Sequence, residues 1–372
     1  MATQQWAIHD EGDRSRLIWL SAFPLIALTV LGVRLVQGFI FWGGASRRLF
    51  YDFHEIHGVD FAVKLDFESA GFVANKMVHA LPGALWIQEP LEWTLANPAL
   101  IDLSVWFWTF AELIVGVGLI FGLLTRGLAL VSVVLNIALM MIFGWMGSTC
   151  LDEWTMAVSG VAMSGAIVIA GGGRLSLDHL FFARAVDKGR RLWLVWLTSG
   201  ALTPVATRRA GIALALVCAI FTVGTYHILF GAVVSPLDPR VSFHRHHIAL
   251  SDAALADNGS VTFDAYVDAG PDTGAAYVVA VTLTDQSGAM LATWDGAALA
   301  ALPESAIDNV YPYVWAAHFK TEVVGFSGST GARATITLPA PASGLALQAG
   351  TYDIRFEAID GATWSAEAAL AE

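Results

Sequence analysis

"IDLSVWFWTFAELIVGVGLIFGLL", Ile101 to Leu124, is apolar almost throughout and is broken in its middle by one acid, Glu112. About 20 residues of this character cover the hydrocarbon core of a bilayer, so the stretch predicts a membrane-spanning helix. Four others match it: Leu17 to Trp42, Gly127 to Met146, Glu153 to Gly172 and Gly211 to Val234. The chain of 372 residues is 56% hydrophobic and 14% charged, with a mean hydropathy of +0.61, which excludes an ordinary soluble domain. The first stretch follows Arg14 and Arg16, exceeds the core of a signal peptide and lacks a small-x-small cleavage site, so it reads as an uncleaved first span.

Positive charge sets the expected orientation. The connector from Gly173 to Ala210 holds Arg174, Arg184, Lys188, Arg190, Arg191, Arg208 and Arg209, which marks it as cytoplasmic. The amino terminus then lies inside. The loop from Gly43 to Leu100, the connector around Cys150 and everything after Val234 lie outside, on the periplasmic or extracellular face of the cytoplasmic membrane. Leu192 to Leu202 is half the spanning length and is expected to be interfacial or re-entrant.

After Val234 the period changes. "SVTFDAYVDA", "AYVVAVTLTD", "ARATITLPA" and "TYDIRFEAID" alternate apolar with polar residues between turn-forming ones, the pattern of an antiparallel sheet. Residues 235 to 372 hold 5 Lys and Arg against 16 Asp and Glu, so nearly all of the net charge of -12 sits there. The expected fold class is an α-helical membrane bundle, with a four-helix core and a fifth span, followed by an all-β, sandwich-like extracytoplasmic domain. The expected boundaries are 1–190 for the bundle with its long outer loop, 191–234 for the interfacial segment and fifth span, and 235–372 for the β domain.

Several residues break this pattern chemically. In "GWMGSTCLDEW", Gly144 to Trp154, Thr149 and Asp152 form a capping-box-like pair that makes Cys150 the first residue of a helix. A helix N-terminus favours a thiolate, whereas Asp152 and Glu153 oppose it unless cations compensate. Arg47, Arg48, Lys64 and Lys76 of the outer loop are the available cations; the alternative for Cys150 is a small apolar filler. Arg34, Glu112 and Asn136 sit inside spans, roughly 12 to 17 Å from the outer helix ends. Ionisable groups at such depth are paired or functional. An ion pair between Arg34 and Glu112 is one reading. The other is a quinone pocket in which Glu112 supplies protons and Trp42, Trp145 and Trp154 hold the ring.

"HEIH" at His54 to His57 and "FHRHH" at Phe243 to His247 lack a matching set of metal ligands at a recognised spacing. "GGGR", Gly171 to Arg174, reads as a helix C-cap. Cys218 and Cys150 allow no disulfide framework, and the chain has no metal, haem, flavin or dinucleotide motif.

"GWMGSTCLDEW", with "KLD" at Lys64 to Asp66, "NK" at Asn75 and Lys76 and "GLLTRG" at Gly122 to Gly127, resembles DoxD, the large subunit of thiosulfate:quinone oxidoreductase, within the wider DoxX family of four-helix membrane proteins. The segment from "SPLDPRVSFHRHHIAL" onward resembles DoxA, the small subunit. The resemblance covers nearly the whole chain and implies a DoxD-DoxA fusion. It implies oxidation of two thiosulfate ions to tetrathionate, with electrons passed to a membrane quinone. Cys150, Asp152 and Glu153 become the expected catalytic residues, Arg47, Arg48, Lys64 and Lys76 the thiosulfate-binding ones. Arg34, Glu112, Asn136, Trp42, Trp145 and Trp154 become the expected quinone and proton-relay set. The expected partners are thiosulfate, a quinone and the bilayer, with a homo-oligomer compatible and nucleic acid excluded. The rival expectations are a quinone-linked enzyme for sulfite, sulfide or a persulfide, and a non-catalytic DoxX-like scaffold or carrier.

Overall fold

The computed structural model describes residues 22, 25–51, 55–56, 59–60, 64–84, 86–143, 152–187, 196–200, 202–230, 245–271, 274–341 and 350–370. The chain is an N-terminal helical region followed by an all-β region, and it divides into two compact units. One holds Met1–Asp60, Ser104–Met140 and Glu153–Pro236, the other Phe61–Leu103, Met141–Asp152 and Leu237–Glu372.

The helices that lie wholly or mostly in the first unit are α1 (Leu31–Ser46), α4 (Pro98–Phe121), α5 (Thr125–Phe143), α6 (Asp152–Ala170), α7 (Leu177–Asp187) and α8 (Pro204–Phe230); the short α2 (Asn75–Ala80) and α3 (Gln88–Leu95) belong to the second unit. Among the described residues, Pro98–Phe121, Thr125–Phe143 and Pro204–Gly224 are long and apolar enough to cross a membrane, and Met156–Ala170 is a shorter apolar helix. The core joins Phe41 of α1, Val115 and Leu119 of α4, Ala129 and Leu135 of α5 and Ile167 of α6.

Without a hydrophobic drive between helices in lipid, close approach depends on small residues. At the crossing of α1 and α4 a Cβ on Gly116 would stand 2.5 Å from the Trp42 backbone nitrogen, and one on Gly38 2.9 Å from that of Ile120. The hairpin between α4 and α5 turns within "GLLTRG": Gly122 has φ +68° and even Leu124 has φ +48°. That strained turn is held from outside the hairpin, because the Asp178 carboxylate accepts from Leu124 N (2.6 Å), Thr125 N (3.0 Å) and Thr125 Oγ1 (2.7 Å).

The second unit carries strands β3 (His247–Leu255), β4 (Val261–Ala269), β5 (Ala276–Thr284), β6 (Met290–Trp294), β7 (Ile307–Asn309), β8 (Phe319–Thr321), β9 (Phe326–Gly328), β10 (Arg333–Leu338), β11 (Gly350–Ala358) and β12 (Thr363–Leu370). A two-residue pairing of β1 (Glu55–Ile56) with β2 (Val59–Asp60) lies in the first unit. The four alternating stretches of the sequence become β4, β5, β10 and β11. Their odd faces bury Val261, Phe263, Ala265 and Val267 on β4 and Tyr352, Ile354, Phe356 and Ala358 on β11.

These strands form the all-β region that the alternation predicts. They make one sheet in the order β7-β10-β4-β3-β12-β11-β5-β9-β8, with β6 added to β5 and β12 parallel to β3. The two end strands are brought together by Asn309 of β7, whose side-chain Nδ2 donates to Phe319 O of β8 (3.0 Å) while its Oδ1 accepts from Phe319 N (2.8 Å). The sheet is thereby nearly closed, which protects its edges. Its interior is an aromatic chain in which Phe263 meets Phe356 (5.0 Å between ring centres), Phe356 meets Phe326 (5.8 Å) and Phe326 meets Phe319 (6.2 Å).

Candidate functional site

Within the first unit the chemistry gathers where α1 ends. Beyond Ser46 the backbone winds into a π-helical turn, Arg47–Tyr51. The added residue per turn changes which side chain faces the bundle, a device common at functional sites. Arg48 is turned inward and its Nη2 forms an ion pair with Glu112 Oε2, the two side chains being only 11% and 9% exposed. The other carboxylate oxygen, Oε1, accepts from Trp108 Nε1 at 2.6 Å, one helical turn earlier on α4. Gly44 makes room for the carboxylate, since a Cβ there would lie 2.6 Å from Oε2. Arg47 is exposed, and its charge acts on Glu112 without an ion pair. Arg48 Nε is buried and has no partner among the described residues. Trp42 and Phe50 place their rings 6.2 Å apart on the same stretch of chain.

The expected pairing of Arg34 with Glu112 is not what forms. Arg34 donates to Gly172 O and Leu175 O, both at 2.8 Å, at the C-terminal end of α6. The residue that faces Glu112 is Gly44, ten positions further along α1 and so about 15 Å away along the helix. Asn136 is in a third place. Its Nδ2 donates to Ser132 O (2.8 Å), and it belongs to a buried polar layer in which Gln37 Nε2 donates to Ser132 Oγ (3.0 Å) and Ser132 Oγ meets Ser164 Oγ (2.7 Å). Arg34, Glu112 and Asn136 therefore occupy separate polar contacts.

Gln37, Ser132, Ser164, Arg126 and Asp178 are buried polar residues that the sequence reading missed. Asp178 also accepts from Ser199 Oγ (2.8 Å), and its charge acts on both Arg126 and Arg34. Arg126 donates to Val168 O (2.8 Å) and Thr198 O (3.1 Å). This cluster ties α5 to the end of α6 and the start of α7. The signal for it was an acid three residues after "GGGRL", inside a segment read only for its positive charge. Gly171 and Gly173, with φ of +69° and +65°, terminate α6 as a C-cap should.

Cys150 and Trp145 lie outside the described residues, as do the side chains of Asp152, Glu153 and Trp154. Lys64 and Lys76 are in the second unit, Lys64 in a turn where its carbonyl accepts from Val73 N (3.0 Å) and Lys76 exposed on α2.

There the segment that follows Lys64 is docked on the sheet. Phe67 packs against Phe72, Tyr313 and Trp315, and Tyr313 stacks on Trp315 with ring centres 4.9 Å apart. His79 Nδ1 donates to Thr330 O (2.8 Å), the Tyr313 hydroxyl to Leu95 O (2.9 Å) and Arg333 Nη2 to Glu92 Oε1 (3.1 Å). Of "FHRHH", His246 Nε2 donates to Pro271 O (3.1 Å) and burial pushes its pKa down, while His247 Nδ1 pairs with Asp268 (2.5 Å). Side chains of "HEIH" lie outside the described residues.

Two family models match this chain in sequence order. Residues 33–205 match the family described as TQO small subunit DoxD, and residues 242–367 match the family described as TQO small subunit DoxA. The first description gives DoxD as a small subunit, in place of the large one expected. The docked segment, Lys64 to Leu95, falls inside the DoxD match, and the sheet that holds it falls inside the DoxA match.

Proposed function

Because this chain is a DoxD region fused to a DoxA region, and both families are subunits of thiosulfate:quinone oxidoreductase, we propose that it oxidises two thiosulfate ions to tetrathionate and reduces a membrane quinone. The observation that carries this is the succession of the two families in one chain. Apolar helices long enough to span a bilayer suit an electron acceptor dissolved in the membrane.

In this proposal the Cys150 thiolate and the outer sulfur of thiosulfate form an S–S bond, giving a Cys-S-S-sulfonate and releasing two electrons to the quinone. A second thiosulfate attacks the middle sulfur. Tetrathionate leaves with the new S–S bond and Cys150 returns as thiolate, the leaving group. The quinone, a substrate here, takes two electrons and two protons. Arg47 and Arg48 bind the dianion, aided by Lys64 and Lys76, against the repulsion of an acidic β domain. Glu112, held by Trp108 and Arg48, serves as a proton donor, with Asp152 and Glu153 at the start of α6 as relays. Trp42, Trp145 and Trp154 supply aromatic surface for the ring, and Arg34 and Asn136 hold the helices that frame it. The site lies on the outer face of the cytoplasmic membrane, with the amino terminus inside and the β domain outside.

The test is quinol formation by the purified protein with thiosulfate as sole donor, tetrathionate being assayed in parallel. Quinol from sulfite, sulfide or a persulfide but not from thiosulfate would replace the substrate. Absence of donor-dependent quinol with every one of them would leave a scaffold or carrier.

A further inference from the structure

Arg48 carries a contradiction. Its Nη2 is committed to Glu112, yet its Nε is buried and has no acceptor among the described residues. A guanidinium presents its donors as a planar fork matched to oxyanions, so a half-used fork beside a second, exposed arginine is shaped for an anion that is not part of the chain.

Glu112 has little else to hold its charge. Among the described residues the charged and polar groups that face it are Arg48, Arg47 and the Trp108 indole; Gly44 abuts it with no side chain. If Arg48 turned its fork to an oxyanion, the carboxylate would keep one indole donor and a distant exposed cation. A buried carboxylate in that state neutralises by taking a proton. The charge balance agrees. Arg47, Arg48 and Glu112 together carry one positive charge. A dianion bound to them would leave one negative charge in a poorly solvated place, and one proton on Glu112 restores neutrality.

We infer that this is an anion site coupled to proton uptake: a sulfur-oxyanion dianion takes Arg48 from Glu112, and Glu112 binds one proton from solvent as it lets go. This rests on the proposed function, whose substrate is such a dianion. It adds a consequence, because the substrate itself loads Glu112 with one of the two protons the quinone needs. When tetrathionate leaves, Arg48 returns to Glu112 and the proton has been handed on.

The experiment is calorimetric binding of sulfate and of thiosulfate to the full chain in lipid nanodiscs without quinone, in two buffers of different ionisation enthalpy across the neutral pH range. Neither anion titrates there. The expected result is uptake of about one proton per anion, with Kd rising about tenfold per pH unit. In Glu112→Gln, binding should be tighter than wild type at the alkaline end, independent of pH and free of proton uptake. Wild-type binding with no proton uptake and a flat pH profile would overturn the coupling, as would uptake that persists in Glu112→Gln. Quinol formation from thiosulfate together with uncoupled binding would sink this inference and leave the proposed function standing. Coupled binding with no thiosulfate-dependent quinol would sink the enzymatic proposal alone.

Discussion

The hydroxyl of Tyr313 donates to the backbone carbonyl of Leu95, 2.9 Å away and 218 residues earlier in the chain. It joins the DoxA-matching region to the Lys64–Leu95 loop of the DoxD-matching region inside one compact unit. What holds that loop is mainly the aromatic cluster of Phe67, Phe72, Tyr313 and Trp315, because the Arg333–Glu92 pair is about a third exposed and such pairs contribute about 0–1 kcal/mol. Cutting the chain with a protease site engineered between residues 231 and 244 should therefore leave the β region co-purifying with the helices in detergent. Arg333→Ala should not change this. Phe72→Ala, which removes a fully buried ring worth about 3–5 kcal/mol, should release the β region.

Gly44 and Gly43 offer a matched pair of substitutions. A Cβ at Gly44 meets Glu112 Oε2 at 2.6 Å, whereas one at Gly43 meets nothing within 4 Å. Gly44→Ala should displace the carboxylate, cost about 1–3 kcal/mol by overpacking and lower quinol formation severalfold. Gly43→Ala should keep wild-type turnover and stability. Equal activity of the two variants in a steady-state quinol assay would remove Glu112 from the site.

Asp178 should matter to folding more than to catalysis. It is 2% exposed, caps the strained start of α5 and bears on two buried arginines. Asp178→Ala leaves those cations without their acid and should lower stability by about 3–5 kcal/mol, seen as a fall in Tm in nanodiscs. Protein that survives the substitution should retain the wild-type KM for thiosulfate.

Acid should loosen the β region at His246. Burial lowers its pKa below the ordinary 6.5, so the unfolded chain binds this proton more readily than the folded one. Its contribution is fully present above about pH 6.5 and is lost as pH falls through the lowered value. Hydrogen exchange of β3 and of the turn at Gly270 should quicken over that window in wild type, and His246→Gln should flatten the change.

The elements themselves were written locally in the sequence. Apolar runs interrupted by Glu112 or bounded by Gly122 and Gly171 mark helices, and the alternation of Val261, Phe263, Ala265 and Val267 marks a strand, because both depend on neighbours a few positions apart. Closure of the sheet by Asn309 was not legible, since a strand pattern does not say which edges meet. The partner of Glu112 was missed for a related reason. Depth counted from helix ends put Arg34 level with it, but α1 runs on to Ser46 and a π turn then swings Arg48 inward, which no hydropathy pattern reports. Asp178 escaped notice because its surroundings are assembled from Leu124, Thr125 and Ser199, far from it in the chain.

The most direct test of the central claim is to compare wild type with Cys150→Ala in one assay of quinone reduction and tetrathionate formation, with thiosulfate as the only donor. The account predicts quinol and tetrathionate in equal amounts from wild type and neither from the variant, with the variant's fold and sulfate binding intact. Full turnover by Cys150→Ala would contradict the sulfur handle at Cys150, and no thiosulfate-dependent quinol from wild type would contradict the proposed function itself.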